Sequence, residues 1–136
     1  MKLLMFYAHD FWYRTHERIL ETVPDVPSEE THREVAVIFY HAEETDRDRE
    51  DKVAVKWVKN AKWLARKFGT QRILLHSFNH LASTKAPADV ARRLAAVVRD
   101  RLERTGFTVS ETPFGYQNEW KIHVSGNSLA KVFKEI

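Results

Sequence analysis

The sequence predicts an α/β fold, a mixed β-sheet packed with two main helices, and three observations carry that expectation. Short apolar runs at Lys2–Ala8, Val35–Tyr40 and Arg72–Phe78 have the length and composition of strands. Two longer segments, from Asp48 to Phe68 and from Pro87 to just before Gly106, space their apolar residues three and four apart, as amphipathic helices do. Strands and helices alternate in the order strand, strand, helix, strand, helix, strand, strand.

Each element has its own reason. Lys2–Ala8 is short and apolar. Val35–Tyr40 is apolar on both alternations, which predicts a strand buried on both faces. Between them, Val23–Glu30 carries two prolines and several acids, the content of a mobile surface loop. Ala54, Trp57, Val58, Ala61, Leu64, Ala65 and Phe68 form the stripe of the first helix, and Gly69 supplies a left-handed stop. Pro87 suits the first position of the second helix, whose stripe is Val90, Ala91, Leu94, Val98 and Leu102. Phe107–Val109 begins a further strand. Trp120, Ile122 and Val124 alternate with Glu119, Lys121 and His123, a strand with one dry and one wet face.

The 136 residues fit one domain, spanning 1–136, and 43% apolar with 30% charged residues is ordinary for a folded chain. There is no repeat, low-complexity tract or linker. No apolar run approaches the roughly 20 residues of a membrane span, and Asp10 and Arg14 arrive too early for a secretory signal, so a cytoplasmic protein with no membrane partner is expected. The absence of cysteine excludes thiol nucleophiles, disulfides and thiolate metal sites. A net charge of +3 is compatible with a polyanionic partner. Cations are denser in the helical regions, at Lys52, Lys56, Lys59, Lys62, Arg66 and Lys67 and again at Arg92, Arg93, Arg99, Arg101 and Arg104, which reads first as solvated helix faces, since charge alone does not predict RNA.

Two segments that each follow a strand-like run hold the candidate chemistry: Phe78-Asn79-His80-Leu81-Ala82-Ser83 and Pro113-Phe114-Gly115-Tyr116-Gln117-Asn118. His80 lies just past a strand end, where sheet proteins meet ligands, although a lone loop histidine is also a common surface or capping residue. His76 and His80 are four apart, but the apolar run before them argues for a strand rather than a helix that would align two zinc ligands, so no metal is expected. No G-x-S-x-G elbow, no serine with an evident base and no phosphate-cradling G-x-x-x-x-G-K is present. Glu29-Glu30, Glu43-Glu44 and the acids between Asp46 and Asp51 look like exposed connections and helix starts. Any catalysis must therefore use few side chains and no cofactor.

The order of Leu3-Leu4-Met5-Phe6, the His80 segment with its continuation into Pro87, and Pro113-Phe114-Gly115-Tyr116 resembles the amino-terminal editing domain of archaeal-type threonyl-tRNA synthetases, related in fold to D-aminoacyl-tRNA deacylases. The resemblance implies hydrolysis of seryl-tRNA(Thr), with the ribose 2′-hydroxyl of the terminal adenosine helping to position or activate water and main-chain groups holding the aminoacyl unit. It implies catalytic or orienting roles for His80 and Asn118. Tyr40, His41, Ala42, Phe78, Asn79 and His80 become candidate walls of a serine-sized pocket, with main chain at Ala42, Asn79 and Ala82. Ser83, Pro113, Phe114, Gly115, Tyr116 and Gln117 complete the binding set. Phe114 or Tyr116 could stack on the terminal adenine, and Lys121 could face RNA; Tyr40 and Phe78 read equally well as plain core. The family carries tyrosine and lysine where this chain has Gln117 and Asn118, and an acid where Lys131 stands. Either Asn118 and Lys131 jointly replace that charge, or the side chain tunes binding and the chemistry lies elsewhere; the second view is favoured. The resemblance also implies a homodimer, for which the apolar first strand could serve, and the catalytic part of a threonyl-tRNA synthetase as a partner. D-aminoacyl-tRNA deacylation and a non-catalytic tRNA-binding or dimerisation module are the alternatives.

Overall fold

The computed structural model describes residues 1–136 and contains six strands and two helices. The strands are β1 (Lys2–Arg18), β2 (Glu29–His41), β3 (Arg72–Ser77), β4 (Thr108–Glu111), β5 (Tyr116–Val124) and β6 (Lys131–Glu135). The helices are α1 (Glu50–Lys67) and α2 (Ala88–Arg104). They build one mixed sheet in the order β4-β3-β2-β1-β5, with β6 on β1 beside β5. The pairs β2–β3 and β3–β4 are parallel, joined through α1 and α2, and all pairs of β1 are antiparallel.

Two strands are longer than their apolar runs. β1 continues from Ala8 to Arg18 because a bulge between Ala8 and Asp10 resets the alternation. Leu3, Met5 and Tyr7 face the helices, whereas Ala8, Phe11 and Tyr13 face the opposite side. Opposite the bulge, Glu34 adopts a left-handed backbone (φ 46°), and its carboxylate accepts hydrogen bonds from Tyr7 and His9. β2 correspondingly begins at Glu29, so the surface connection is shorter than Val23–Glu30 at its far end and starts after Arg18. The sixth strand, β6, is an addition to the expected order. It pairs with Lys2–Phe6, while β5 pairs with Ala8–Arg18, so two strands share one edge of β1 end to end. Both edges of β1 are thus paired within the chain.

The helices cover one face of the sheet. Trp57, Ala61, Leu64, Leu94, Val98 and Leu102 pack on Leu3, Met5, Ile38, Ile73 and Leu75 in the main core. β2 alternates between this core and a second one on the opposite face, where Val35, Val37 and Phe39 meet Phe11, Tyr13 and Leu74. Its burial on both faces follows from its continuous apolar run. Gly69 ends α1 with φ 66°. Pro87 caps α2 from outside rather than opening it, with an extended ψ of 148°. The Met1 ammonium group, buried, donates to Glu43 (2.7 Å) and to the fully buried Asp46 (2.9 Å), tying the start of β1 to the turn that precedes α1.

Candidate functional site

The parallel strands β2 and β3 both end at one rim of the sheet, and β4 ends beside them. That is the place where open α/β sheets leave a crevice. The segment after β3 and the segment between β4 and β5 converge there on a cavity of about 550 Å³. Ala42, Phe78, Asn79, His80, Pro113, Phe114, Gly115, Tyr116, Gln117 and Asn118 line it, so ten residues chosen from sequence surround one space.

The cavity floor is aromatic. His76, at the end of β3, packs on Phe39 with ring centroids 4.6 Å apart, and Trp120 stands edge-on to Phe39 at 5.0 Å. Burial pushes His76 down to about 4, so its ring is neutral at ordinary pH, and its Nδ1 lies 2.9 Å from the Thr112 hydroxyl. Trp120 is 36% exposed because it borders the cavity, so the expected dry face of β5 is dry only in part. Asn118 lines the same space, and its Oδ1 is buried without a hydrogen-bond partner. Such an acceptor is costly to leave unmade and suits a ligand donor.

The His80 loop is held by main chain and by one imidazole. Phe78 N–H donates to Tyr40 C=O (2.9 Å), and Ala86 N–H donates to Ala42 C=O (2.8 Å). His41 Nδ1 accepts from Leu81 N–H (3.0 Å), which leaves Nε2–H to donate to Thr84 C=O at 2.7 Å. His80 itself is exposed, with its ring 4.8 Å from that of Phe78.

The opposite wall depends on Gly115. Its φ is 84°, and its carbonyl accepts from Ile19 N–H (2.7 Å) and Leu20 N–H (3.2 Å). A Cβ there would lie 2.9 Å from Val23 and 3.1 Å from Leu20. Tyr116 adds a tie from the other side: its hydroxyl accepts from Val26 N–H (2.7 Å) and donates to Pro24 C=O (2.8 Å).

Six predicted residues lie outside the cavity wall. Tyr40 is core, its ring 4.7 Å from that of Trp57, and burial raises its hydroxyl above the ordinary tyrosine range. His41 is buried behind the loop that it staples. Ala82 and Ser83 belong to that loop without bordering the space. Lys121 places its Nζ 4.9 Å from the Trp12 ring centroid, on the exposed sheet face. Lys131 donates to Ser125 C=O (2.8 Å) and Asn127 C=O (3.3 Å), closing the turn before β6. Lys131 pairs with Phe6 and Asn118 with Thr15, so the two are roughly 30 Å apart along β1 and cannot share one site within a chain. Phe114 has one ring face taken by the Arg92 guanidinium at 5.6 Å. Conversely, Ile19, Leu20, Lys85, Thr112 and Trp120 border the cavity and were not singled out as site residues, and His76 was weighed only as a metal ligand. The alternation of β5 placed Trp120 on the right face, but nothing local marks Ile19, Leu20 or Lys85.

Comparison with known proteins agrees with this architecture. A family model described as the archaea-specific editing domain of threonyl-tRNA synthetase matches residues 1–136. The threonine–tRNA ligase of Thermococcus kodakarensis is 29% identical over 139 residues, which is 100% of this chain and 22% of that protein. Those of Thermococcus onnurineus (29%) and Nitrosopumilus maritimus (26%) match all of this chain and 22% and 21% of their own lengths. The chain thus spans about a fifth of these relatives. Among solved structures, the c-Myc DNA Unwinding Element Binding Protein superposes with a TM-score of 0.65 at 12% identity, covering 100% of this chain and 99% of that one, which shows a common fold.

Proposed function

Because the chain belongs to the archaea-specific editing domains of threonyl-tRNA synthetase, we propose that its cavity hydrolyses the ester of L-seryl-tRNA(Thr). The observation that carries the proposal is the convergence of residues 78–80 and 113–118 on one space whose polar groups include a buried, unpartnered amide oxygen. Water adds to the ester carbonyl, the carbonyl–oxygen bond to the ribose breaks, and free serine and deacylated tRNA leave.

The groups bordering the cavity suit a reaction that depends on position. The lining lacks a carboxylate and a thiol, and its buried imidazole, His76, is neutral and engaged with Thr112. His80 and Asn118, with Asn79, Gln117 and nearby main-chain N–H groups beside them, are polar groups placed to orient the ester and the water, with the vicinal 2′-hydroxyl of the substrate assisting. Donors aimed at a developing oxyanion contribute about 3 kcal/mol each. Lys85 at the rim suits a phosphate of the acceptor strand, and the aromatic floor of Phe78 and Trp120 suits a base or ribose. A second site of this kind is needed because packing alone separates threonine from serine, one methyl smaller, by only about 1–3 kcal/mol.

The reading extends to a homodimer that works with the catalytic part of a threonyl-tRNA synthetase in the cytoplasm; no helix is long and apolar enough to cross a membrane. The assay is deacylation of L-seryl-tRNA(Thr), with L-threonyl-tRNA(Thr) and a D-aminoacyl-tRNA in parallel. Fast loss of serine with threonine retained is expected. Serine left intact by folded protein overturns the reading, and preference for the D-ester replaces it with D-aminoacyl-tRNA deacylation.

A further inference from the structure

Residues 52–88 hold eight lysines and arginines and no aspartate or glutamate. Most of these cations lie on α1, where the core side and the solvent side are cleanly divided. Val53, Ala54, Trp57, Ala61, Leu64 and Ala65 are buried, and Lys52, Lys56, Lys59, Arg66 and Lys67 are exposed on the opposite side. At 100° per residue these five, with Lys62 and Trp63, fall within one arc and follow the helix for roughly 22 Å.

Three features separate this stripe from an ordinary solvated face. First, its cations are all unpaired, whereas three of the five arginines on α2 are neutralised: Arg93 pairs with Glu50 (2.6 Å), Arg99 with Glu103 (2.7 Å) and Glu111 (3.0 Å), and Arg104 with Asp100 (3.0 Å). No ion pair of the chain involves Lys52, Lys56, Lys59, Lys62, Arg66 or Lys67. Second, the stripe carries like charges at three- and four-residue spacing, Lys52–Lys56, Lys56–Lys59 and Lys62–Arg66, an arrangement that opposes the helix rather than supporting it. Third, Trp63 sits among them 43% exposed, in a shallow depression formed with Lys59, Lys62, Arg66 and Lys67.

We infer that this face of α1 docks the phosphate backbone of an RNA, with Trp63 packing on a ribose or an unpaired base. The choice of RNA over an acidic protein follows from the residue types. Where this molecule meets carboxylates through side chains it uses mainly arginine, whose fork fits them, whereas this stripe is mostly lysine, a mobile point charge suited to a row of phosphates. An exposed indole between cations is the pairing found where single strands bind by stacking and charge together. The stripe does not border the cavity, so it contributes affinity and orientation but no reacting group. Only the identity of the RNA, a tRNA, rests on the deacylase reading.

The test measures the affinity of unacylated tRNA by fluorescence anisotropy across a KCl series, so that it reads binding without hydrolysis. The variant Lys56→Ala/Lys59→Ala/Lys67→Ala changes three exposed side chains. It is expected to flatten the slope of log K against log salt by about 2–3, from 0.7–0.9 for each phosphate contact removed. The control Arg47→Ala/Arg93→Ala/Arg104→Ala removes the same charge from paired positions and should keep the wild-type slope. Trp63→Ala should weaken binding several-fold with the slope unchanged. A wild-type slope in the α1 variant, or equal flattening in both triple variants, overturns the inference, as does displacement of tRNA by polyglutamate at equal charge concentration. Intact binding phenotypes with no seryl ester hydrolysis would count against the deacylase reading alone.

Discussion

Gly115 serves the cavity through its backbone. Its left-handed φ and the 2.9 Å approach of a notional Cβ to Val23 leave no room for a side chain, so Gly115→Ala combines backbone strain with a clash. We expect a loss of about 2–4 kcal/mol in urea unfolding. Because the Gly115 carbonyl holds Ile19 and Leu20, the same variant should open the cavity wall and raise KM for the aminoacyl-tRNA. His76 makes a prediction in pH. The folded imidazole titrates at about 4 and the unfolded one near 6.5, so between these values the unfolded chain binds more protons. Stability is therefore fully present above pH 6.5 and falls as pH drops toward 4, by on the order of 3 kcal/mol. His76→Gln should flatten that slope in a denaturation series. For Asn118, whose amide oxygen is unpartnered, Asn118→Ala should slow turnover by roughly tenfold or less if the substrate supplies the key hydroxyl, as single-turnover deacylation would show. A near-total loss with unchanged tRNA affinity would give Asn118 a direct catalytic role.

At the scale of the element, the loop carrying His80 depends on His41. Two hydrogen bonds from one buried ring fix Leu81 and Thr84, and His41→Ala removes both. We expect faster amide exchange across residues 79–85 and a destabilisation of about 1–3 kcal/mol. This role explains why sequence placed His41 beside the site without revealing its work: a histidine after a buried strand can line a pocket or brace a loop. The two loops were legible because each follows an apolar run and breaks it with small, polar or glycine residues. Both helices were legible from their spacing, and Gly69 from its position after the stripe. The far half of β1 was not, because the bulge at His9 and Asp10 breaks the alternation that would mark it. β6 was hidden for another reason: Lys131–Glu135 is short, mostly exposed and held by its pairing with Lys2–Phe6, which no local pattern announces.

Across the whole molecule, charge is distributed unevenly in a way that the net value of +3 conceals. Most α2 arginines are held in ion pairs, and α1 leaves its lysines and arginine free for a polyanion, so association with tRNA should be fast at low salt and slow steeply as salt rises. The placement of Lys131 far from Asn118 also belongs at this scale, since only the register of both strands on β1 reveals it. That same register constrains how the sheet closes. β1 is the earliest strand in the sequence, yet the edge formed by Lys2–Phe6 finds its partner only in residues 131–135. Until that distant segment docks, the strand keeps one side unsealed, so a contact between remote stretches of chain removes an adhesive edge.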